Sequence, residues 1–172
     1  GQSMWKGEHD INSCSIGIEI ENPGHDNGYL DFPPEQMAAV TALGLDIVAR
    51  HRIAPEHVLG HSDVAPKRKI DPGEKFDWKS LHEQGLGHWV PPFPLGGGQF
   101  FQLGDRGDAV EALQAMLALY GYGIDITGDF DADTQIVVSA FQRHFRPARI
   151  DGIADRSTIE TLRRLVDALP AA

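Results

Sequence analysis

The residues best suited to chemistry in this 172-residue sequence are a histidine and an aspartate, His61 and Asp71. Both lie in one polar loop, Gly-His-Ser-Asp-Val-Ala-Pro-Lys-Arg-Lys-Ile-Asp-Pro-Gly, at 60–73. A neutral imidazole and a carboxylate are good zinc ligands, and a catalytic zinc usually has three protein ligands plus water. The pair could therefore share a metal ion. From spacing alone, a surface histidine and a turn aspartate before Pro72 are the more common arrangement.

Glu19 and Lys69 are candidates for the catalytic groups. Isoleucines alternate with other residues at 15–21, which predicts a β-strand that carries Glu19 on the face opposite the isoleucines. A carboxylate there either faces solvent, as Glu21 also would, or belongs to a site, because burial without a partner is costly. Lys69 is either part of a solvated basic run at 67–69 or an ammonium that stabilises a developing oxyanion.

Two segments together resemble a known enzyme family. They are Ser-Ile-Gly-Ile-Glu-Ile-Glu at 15–21 and the Gly-His-Ser-Asp motif at 60–73, and they resemble the zinc-dependent N-acetylmuramoyl-L-alanine amidases of the phage-lysozyme and muropeptide-recycling type. The resemblance implies Zn²⁺ as cofactor, with His61 and Asp71 as metal ligands and Glu19 and Lys69 as the catalytic pair. Some members have cysteine at the last ligand position, where this chain has Asp71.

The secondary structure predicted around these residues is that of an α/β domain. We expect a mixed-sheet zinc amidase domain, here lacking its N-terminal strands. It would contain the strand at 15–21, a helix opened by Pro33-Pro34 and ending near Arg50, and a short strand at 57–59. The loop at 60–73 is polar and contains proline, so we expect it not to be a buried element.

A linker divides the chain. Prolines followed by a glycine run at 85–98 combine stiff and loose backbone, which is typical of a linker, although Trp89 and Phe93 could pack on a domain surface. We therefore predict the C-terminal portion of an amidase catalytic domain at 1–84, a linker at 85–103 and a separate helical domain at 104–172.

The segment after the linker has three stretches of helical periodicity, at 107–120, 132–145 and 156–169. Gly-x-x-Asp-x-x-Thr occurs at 128–134 and again at 152–158, where each aspartate can cap the helix that follows. With Leu-Gly-Asp-Arg-Gly-Asp-Ala-Val at 103–110 and Phe-Gln at 141–142, the segment resembles the three-helix peptidoglycan-binding domain. The resemblance implies a small all-α domain that binds cell-wall glycan.

The chain departs from the amidase family at its start. The family's first zinc histidine lies on an early strand, whereas here His9 is the sole histidine before residue 15, in a position where the family has a variable loop. We do not assign His9 as a ligand, and the remaining histidines are interpreted as surface or packing residues: His25, His51, His57, His82, His88 and His144. We expect this chain alone to be a poor or inactive amidase, with an N-terminal fragment of the same protein as a possible partner.

Composition narrows the class of partner. The net charge of −10 makes nonspecific binding to nucleic acid or anionic lipid unfavourable. Cys14 is the single cysteine, so an intramolecular disulfide is impossible, and no apolar stretch reaches membrane-spanning length. We expect peptidoglycan or muropeptides as partners and a location in the periplasm or cell envelope.

The predicted function is hydrolysis of the amide between N-acetylmuramic acid and L-alanine. Two alternatives stay open. One is a catalytically silent peptidoglycan-binding protein on the same fold, against which the presence of both Glu19 and Lys69 argues. The other is a zinc hydrolase that cuts a peptide bond within the stem peptide.

Overall fold

The computed structural model of the chain describes residues 3–170. In chain order, this part contains β1 (Met4–Trp5), β2 (Glu8–His9), α1 (Pro34–His51), α2 (His61–Val64), α3 (Trp78–Glu83), β3 (Phe100–Phe101), α4 (Asp108–Tyr120), α5 (Ala132–Phe145), β4 (Ala154–Asp155) and α6 (Arg156–Asp167). Single 3-10 turns lie at Ile11–Ser13, His25–Asn27 and Pro55–His57. Within residues 3–170, no helix combines the length and apolarity that a membrane crossing requires.

Residues 3–170 mix helices and strands as predicted, but no single mixed sheet forms among them. The strands form two separate antiparallel pairs: β1 with β2, where Met4 faces His9, and β3 with β4, where Phe100 faces Asp155. Residues 15–21 form no strand, and Ile16 and Ile18 are 50% and 38% exposed. A strand needs a neighbouring backbone to satisfy its N–H and C=O groups. No backbone group in residues 3–170 hydrogen-bonds to this segment, although the Glu21 carbonyl accepts from the Gln36 side chain at 2.8 Å.

The strand predicted at 57–59 is also wrong. His57 ends the 3-10 turn Pro55–His57, and the N–H groups of His57 and Val58 donate to the carbonyls of Ala54 and Pro55 at 2.9 and 3.2 Å. Pro55 pre-sets the backbone angle that such a turn requires, which outweighs the weak strand signal of three residues.

The helix predicted after Pro33 is confirmed as α1, with proline in its first turn. Apolar residues along α1 pack against a small cluster that lies before, in and after α3; α1 contributes Met37, Val40, Leu45 and Val48, and the cluster consists of Phe76, Trp78, Leu81 and Leu86. Gly44 makes the close approach possible, since a Cβ there would lie 2.4 Å from Leu86 Cδ2. This cluster lies against the start of the loop at 60–73, since a Cβ on Gly60 would lie 3.3 Å from the Trp78 ring.

The three helices predicted after the linker are formed as α4, α5 and α6, around the larger core of the molecule. Asp131 and Asp155 cap α5 and α6 as the repeat predicts, accepting from the N–H groups of Thr134 and Thr158, both at 2.8 Å. The segment is not entirely α-helical, because β4 pairs with β3 immediately before α6.

The repeat extends to two buried glutamines, Gln114 and Gln142, which lie on the helices before the two Gly-x-x-Asp-x-x-Thr segments. Gln114 Oε1 accepts from the N–H groups of Thr127 and Gly128, both at 2.9 Å. Gln142 Oε1 accepts in the same way from the N–H groups of Asp151 and Gly152, both at 3.0 Å. Each glutamine therefore fastens one turn of the repeat to the preceding helix.

The segment predicted as a linker is docked rather than free. The Phe93 N–H donates to Thr161 Oγ1 at 2.9 Å, and Ser157 Oγ donates to the Phe93 carbonyl at 2.5 Å. The guanidinium groups of Arg156 and Arg164 each lie 5.1 Å from the centre of the Phe93 ring. The expectation that Trp89 and Phe93 pack on a surface is confirmed, since Trp89 also packs against the larger core.

The N-terminal hairpin completes the larger core. Trp5 is 2% exposed, and its ring meets those of Tyr120 and Tyr122 edge-on at 5.9 and 5.1 Å. Gly121 permits this contact, because a Cβ there would lie 2.5 Å from the Trp5 ring. Residues from both ends of the chain thus share one core.

Candidate active site

His61 and Asp71 are brought together by the backbone of their loop. His61 begins α2, and the N–H of the next residue, Ser62, donates to the Asp71 carbonyl at 2.9 Å. This bond closes the loop and leaves His61 Nδ1 3.1 Å from Asp71 Oδ2. The two side chains are 41% and 57% exposed, so both are open to a ligand from solvent.

The donor set fits two positions of a zinc site. Ligand atoms bound at about 2.1 Å in tetrahedral geometry lie about 3.4 Å apart. The 3.1 Å between His61 Nδ1 and Asp71 Oδ2 is close to that spacing. Within residues 3–170, no group of three His, Cys, Asp or Glu side chains could hold a metal ion. His9 lies on β2 and is exposed.

The Asp71 side of the loop is clamped by Tyr29. Its hydroxyl donates to the Pro72 carbonyl at 2.7 Å and accepts from the Lys75 N–H at 3.0 Å. Burial raises the pKa of Tyr29, so the hydroxyl keeps the proton it donates. Gly73 has φ +86°, and a Cβ there would lie 2.4 Å from Tyr29 Oη, so only glycine fits this turn without displacing Tyr29.

A contact between a histidine and a carboxylate flanks the same turn. His25 Nε2 lies 3.0 Å from Glu74 Oε2, and the His25 ring stacks on Tyr29 at 4.2 Å. Burial acts to raise the pKa of Glu74, but a backbone hydrogen bond and His25 outweigh it, so this pKa is lowered. The carboxylate therefore stays charged and available to His25.

The His61 side of the loop is held by Asp63, which is 0% exposed. Asp63 Oδ2 accepts from the Gly60 N–H at 2.7 Å and lies 2.7 Å from His144 Nδ1. Asp63 Oδ1 accepts from the Tyr122 hydroxyl, also at 2.7 Å. A carboxylate can only accept, so the Nδ1 of His144 carries the proton in this bond.

The partners of Asp63 are themselves buried and fixed by packing. The His144 ring stacks on Trp78 at 3.9 Å and on Phe145 at 3.8 Å, and is 4% exposed. Burial raises the pKa of Tyr122 well above its ordinary value, and Asp63 adds to the effect, so this hydroxyl stays protonated. The expectation that the loop contains no buried part is therefore wrong for Ser62 and Asp63.

A cleft of about 660 Å³ lies beside α2, between this loop and the segment that begins α5. Lys67 and Arg68 line one wall, and Asp131 and Asp133 line the other. Lys67 Nζ reaches across to Asp133 Oδ2 at 2.6 Å. The cleft thus opens along the boundary between the loop and the helical segment.

The structure does not join Glu19 or Lys69 to the His61–Asp71 pair through a hydrogen bond. Glu19 is exposed, and the adjacent Ile20 packs on the Phe76–Trp78 cluster. Lys69 is partly buried, and its N–H donates to the Ala65 carbonyl at 3.0 Å. Neither side chain forms a hydrogen bond or ion pair with another residue in 3–170.

Sequence reasoning missed Asp63, Tyr122 and His144 as residues of the site. Two of them had a signal in the sequence: Asp63 lies inside the loop motif, and His144 is a polar residue among apolar ones in a predicted helix. Tyr122 carried no signal, because nothing in a sequence without a structure indicates that it faces a loop 59 residues earlier.

The comparisons with known proteins match both parts of the chain. Residues 2–74 match the family model N-acetylmuramoyl-L-alanine amidase, and residues 106–162 match a family of peptidoglycan binding domains. N-acetylmuramoyl-L-alanine amidase AmiD of Escherichia coli (strain K12) is 39% identical over 166 residues, which cover 92% of this chain and 59% of AmiD. The chain therefore spans little more than half the length of this curated relative.

Solved structures of similar proteins have the same fold. AmiD from E. coli, in complex with the substrate anhydro-N-acetylmuramic acid-L-Ala-D-gamma-Glu-L-Lys, matches with a TM-score of 0.79 and 37% identity, over 97% of this chain and 66% of that chain. AmpDh3 from Pseudomonas aeruginosa matches with a TM-score of 0.80 and 33% identity, over 99% of this chain and 68% of that chain.

The amidase family model covers the segment that carries both motifs, and the solved relatives superpose over nearly the whole chain. The chain therefore belongs to the N-acetylmuramoyl-L-alanine amidase family, and it carries a C-terminal peptidoglycan-binding domain.

Proposed function

We propose that the protein hydrolyses the amide bond between the lactyl group of N-acetylmuramic acid and the L-alanine of the stem peptide. The observation that carries the proposal is the 3.1 Å approach of His61 Nδ1 to Asp71 Oδ2 inside the amidase-matching segment. Relatives support the substrate class: AmiD is solved with an anhydromuramoyl tripeptide, and AmpDh3 with an anhydromuramic pentapeptide.

His61 and Asp71 are the residues that would hold zinc. When bound, the metal supplies a Lewis acid that polarises a carbonyl group and lowers the pKa of water. The Ser62 N–H bond to the Asp71 carbonyl, at 2.9 Å, keeps the two ligands at a fixed spacing before any metal arrives. Pre-organised ligands reduce the entropy that metal binding must overcome.

Glu19 and Lys69 would carry the proton and charge chemistry. Glu19 takes a proton from the attacking water as that oxygen bonds to the lactyl carbonyl carbon. Lys69 stabilises the negative charge that develops on the carbonyl oxygen. The C–N bond then breaks, and Glu19 returns the proton to the alanine nitrogen, so the products are a muramic acid carboxylate and an intact stem peptide with a free amino end.

The C-terminal domain would attach the enzyme to cell-wall glycan, with the chain dividing near 84/85 and 103/104. The family match at 106–162 supports this role, and a net charge of −10 disfavours nucleic acid as a partner. A wall-binding amidase acts in the cell envelope, and the periplasm is the compartment we propose. Co-sedimentation of the full chain with purified sacculi tests the attachment, and recovery in the supernatant would contradict it.

Mass spectrometry of digested muropeptides tests the activity. An amidase releases the complete stem peptide, beginning with L-alanine, and leaves sugar without peptide. A hydrolase of the stem peptide would leave L-alanine on the sugar. A peptidoglycan receptor would leave the muropeptide unchanged while still binding it.

A further inference from the structure

The residue that holds the His61 side of the loop takes two of its three hydrogen bonds from the C-terminal domain. Asp63 lies two positions after His61, and its partners Tyr122 and His144 lie after α4 and on α5. The third bond, from the Gly60 N–H, ties the carboxylate to the residue just before His61. The chain of contacts therefore runs from the helical domain to the start of α2.

These contacts are fully shielded from water. Asp63, Tyr122 and His144 are 0%, 3% and 4% exposed. An ionised carboxylate at such a position is tolerated only when its lone pairs are hydrogen-bonded, and removal of one donor leaves a buried acceptor unpaired. Two of the three donors that satisfy this carboxylate therefore come from the helical domain.

We propose that Tyr122 and His144 are positioning residues of the active site, which fix the metal-ligand loop through Asp63. The C-terminal domain then has two roles: wall attachment and pre-organisation of His61. The pre-organisation of His61 rests on the proposed function only in so far as His61 is a zinc ligand. The effect of Tyr122 and His144 on the loop conformation does not depend on zinc.

Two buried tyrosines provide a matched test. Tyr120 and Tyr122 are 1% and 3% exposed in the same core, and each hydroxyl forms one hydrogen bond; Tyr120 is paired with His88 Nδ1 at 2.9 Å rather than with Asp63. Tyr122→Phe and Tyr120→Phe thus remove equivalent atoms. Only the first removes a donor to the loop.

Amide hydrogen exchange on the full chain is the measurement. The reporters are the Gly60 N–H, which donates to Asp63, and the Ser62 N–H, which donates to Asp71. In Tyr122→Phe we expect both to exchange roughly 10- to 100-fold faster relative to the amides of α4, the scale expected for losing a hydrogen bond to a charged group. In Tyr120→Phe the ratio should stay as in the parent. Equal ratios in the two variants would overturn the proposal.

A second pair of variants covers the case in which Tyr122→Phe does not fold. Both His144→Asn and His144→Leu lose the ring that stacks on Trp78, but asparagine retains a donor near the Nδ1 position. We expect His144→Asn to retain more of the Gly60 and Ser62 protection than His144→Leu, and equal loss would overturn the proposal. Muropeptide digestion that leaves L-alanine on the sugar would instead overturn the proposed function, without altering either exchange comparison.

Discussion

At the level of single residues, His61 and Asp71 are proposed to bind the metal ion and Glu19 to transfer the proton. His61→Ala or Asp71→Ala removes one of two donors held 3.1 Å apart, so we predict loss of Zn²⁺ binding in either variant, measured by metal analysis after dialysis. His9→Ala is the control, because His9 lies exposed on β2 and is not assigned as a ligand. Metal retained in both His61→Ala and Asp71→Ala, or lost in His9→Ala, would contradict the assignment.

Glu19→Gln is predicted to keep zinc and lose turnover by ~10²–10⁴-fold, because a general base contributes about that much. Lys69→Ala is predicted to behave similarly through the loss of oxyanion stabilisation. The matched control is Glu21→Gln, an exposed carboxylate two positions from Glu19. The measurement is the steady-state rate of muropeptide hydrolysis by each variant at saturating Zn²⁺. A Glu19→Gln rate equal to that of Glu21→Gln would remove Glu19 from the mechanism.

The sequence could reveal site residues only when they lie close together along the chain. His61 and Asp71 could be paired because one loop carries both, and their motif is long. Asp63 is in the same loop, yet its role depends on Tyr122 and His144, which lie 59 and 81 residues away. No local pattern encodes a contact of that separation.

At the scale of elements, the repeat in the C-terminal domain gives a direct comparison of two helix caps. Asp131→Ala removes a cap that faces solvent, which costs about 1 kcal/mol of unfolding free energy. Asp155→Ala also leaves Arg146 without its carboxylate partner at 3.3 Å, in a site where Arg146 is 1% exposed. We therefore predict a larger loss, about 3 kcal/mol, measured by urea unfolding at neutral pH. Equal losses would contradict the account of the second cap.

The same pair predicts a pH dependence. Burial acts to raise the pKa of Asp155, but the Thr158 N–H and hydroxyl, with Arg146, outweigh it and lower the pKa. A lowered folded-state pKa means that the stabilisation is fully present above the unfolded value of about 3.9 and disappears as pH falls through the folded value. The difference in stability between parent and Asp155→Ala should accordingly shrink below about pH 4.

Helices and strands could be predicted from sequence where their backbone hydrogen bonds form within the element itself. α1, α4, α5 and α6 satisfy their backbone internally and show apolar residues at helical spacing, so their positions follow from sequence. The segment at 15–21 has a clear alternating pattern, but a strand depends on a partner that its own residues cannot provide. The 3-10 turn at Pro55–His57 was missed because three residues carry too little periodic signal.

At the scale of the whole molecule, the two family segments share a core. Trp5 packs between Tyr120 and Tyr122, and Lys6 N–H donates to the Gly121 carbonyl at 2.8 Å. We predict that Trp5→Ala lowers the unfolding free energy of the helical domain by about 3–5 kcal/mol. Thermal unfolding monitored by near-ultraviolet circular dichroism measures this loss. Phe100→Ala is a suitable control, since Phe100 is an aromatic residue 51% exposed. Equal destabilisation by both would contradict the shared core.

The most direct test of the central claim is hydrolysis of an anhydromuramoyl peptide in H₂¹⁸O, followed by mass spectrometry of both products. Attack of water on the lactyl carbonyl places one ¹⁸O in the carboxylate of the sugar and leaves the stem peptide intact, unlabelled and beginning with L-alanine. We predict this outcome, with the label appearing at least ~10²-fold more slowly in Glu19→Gln. Label in the peptide product, or L-alanine that stays attached to the sugar, would contradict it.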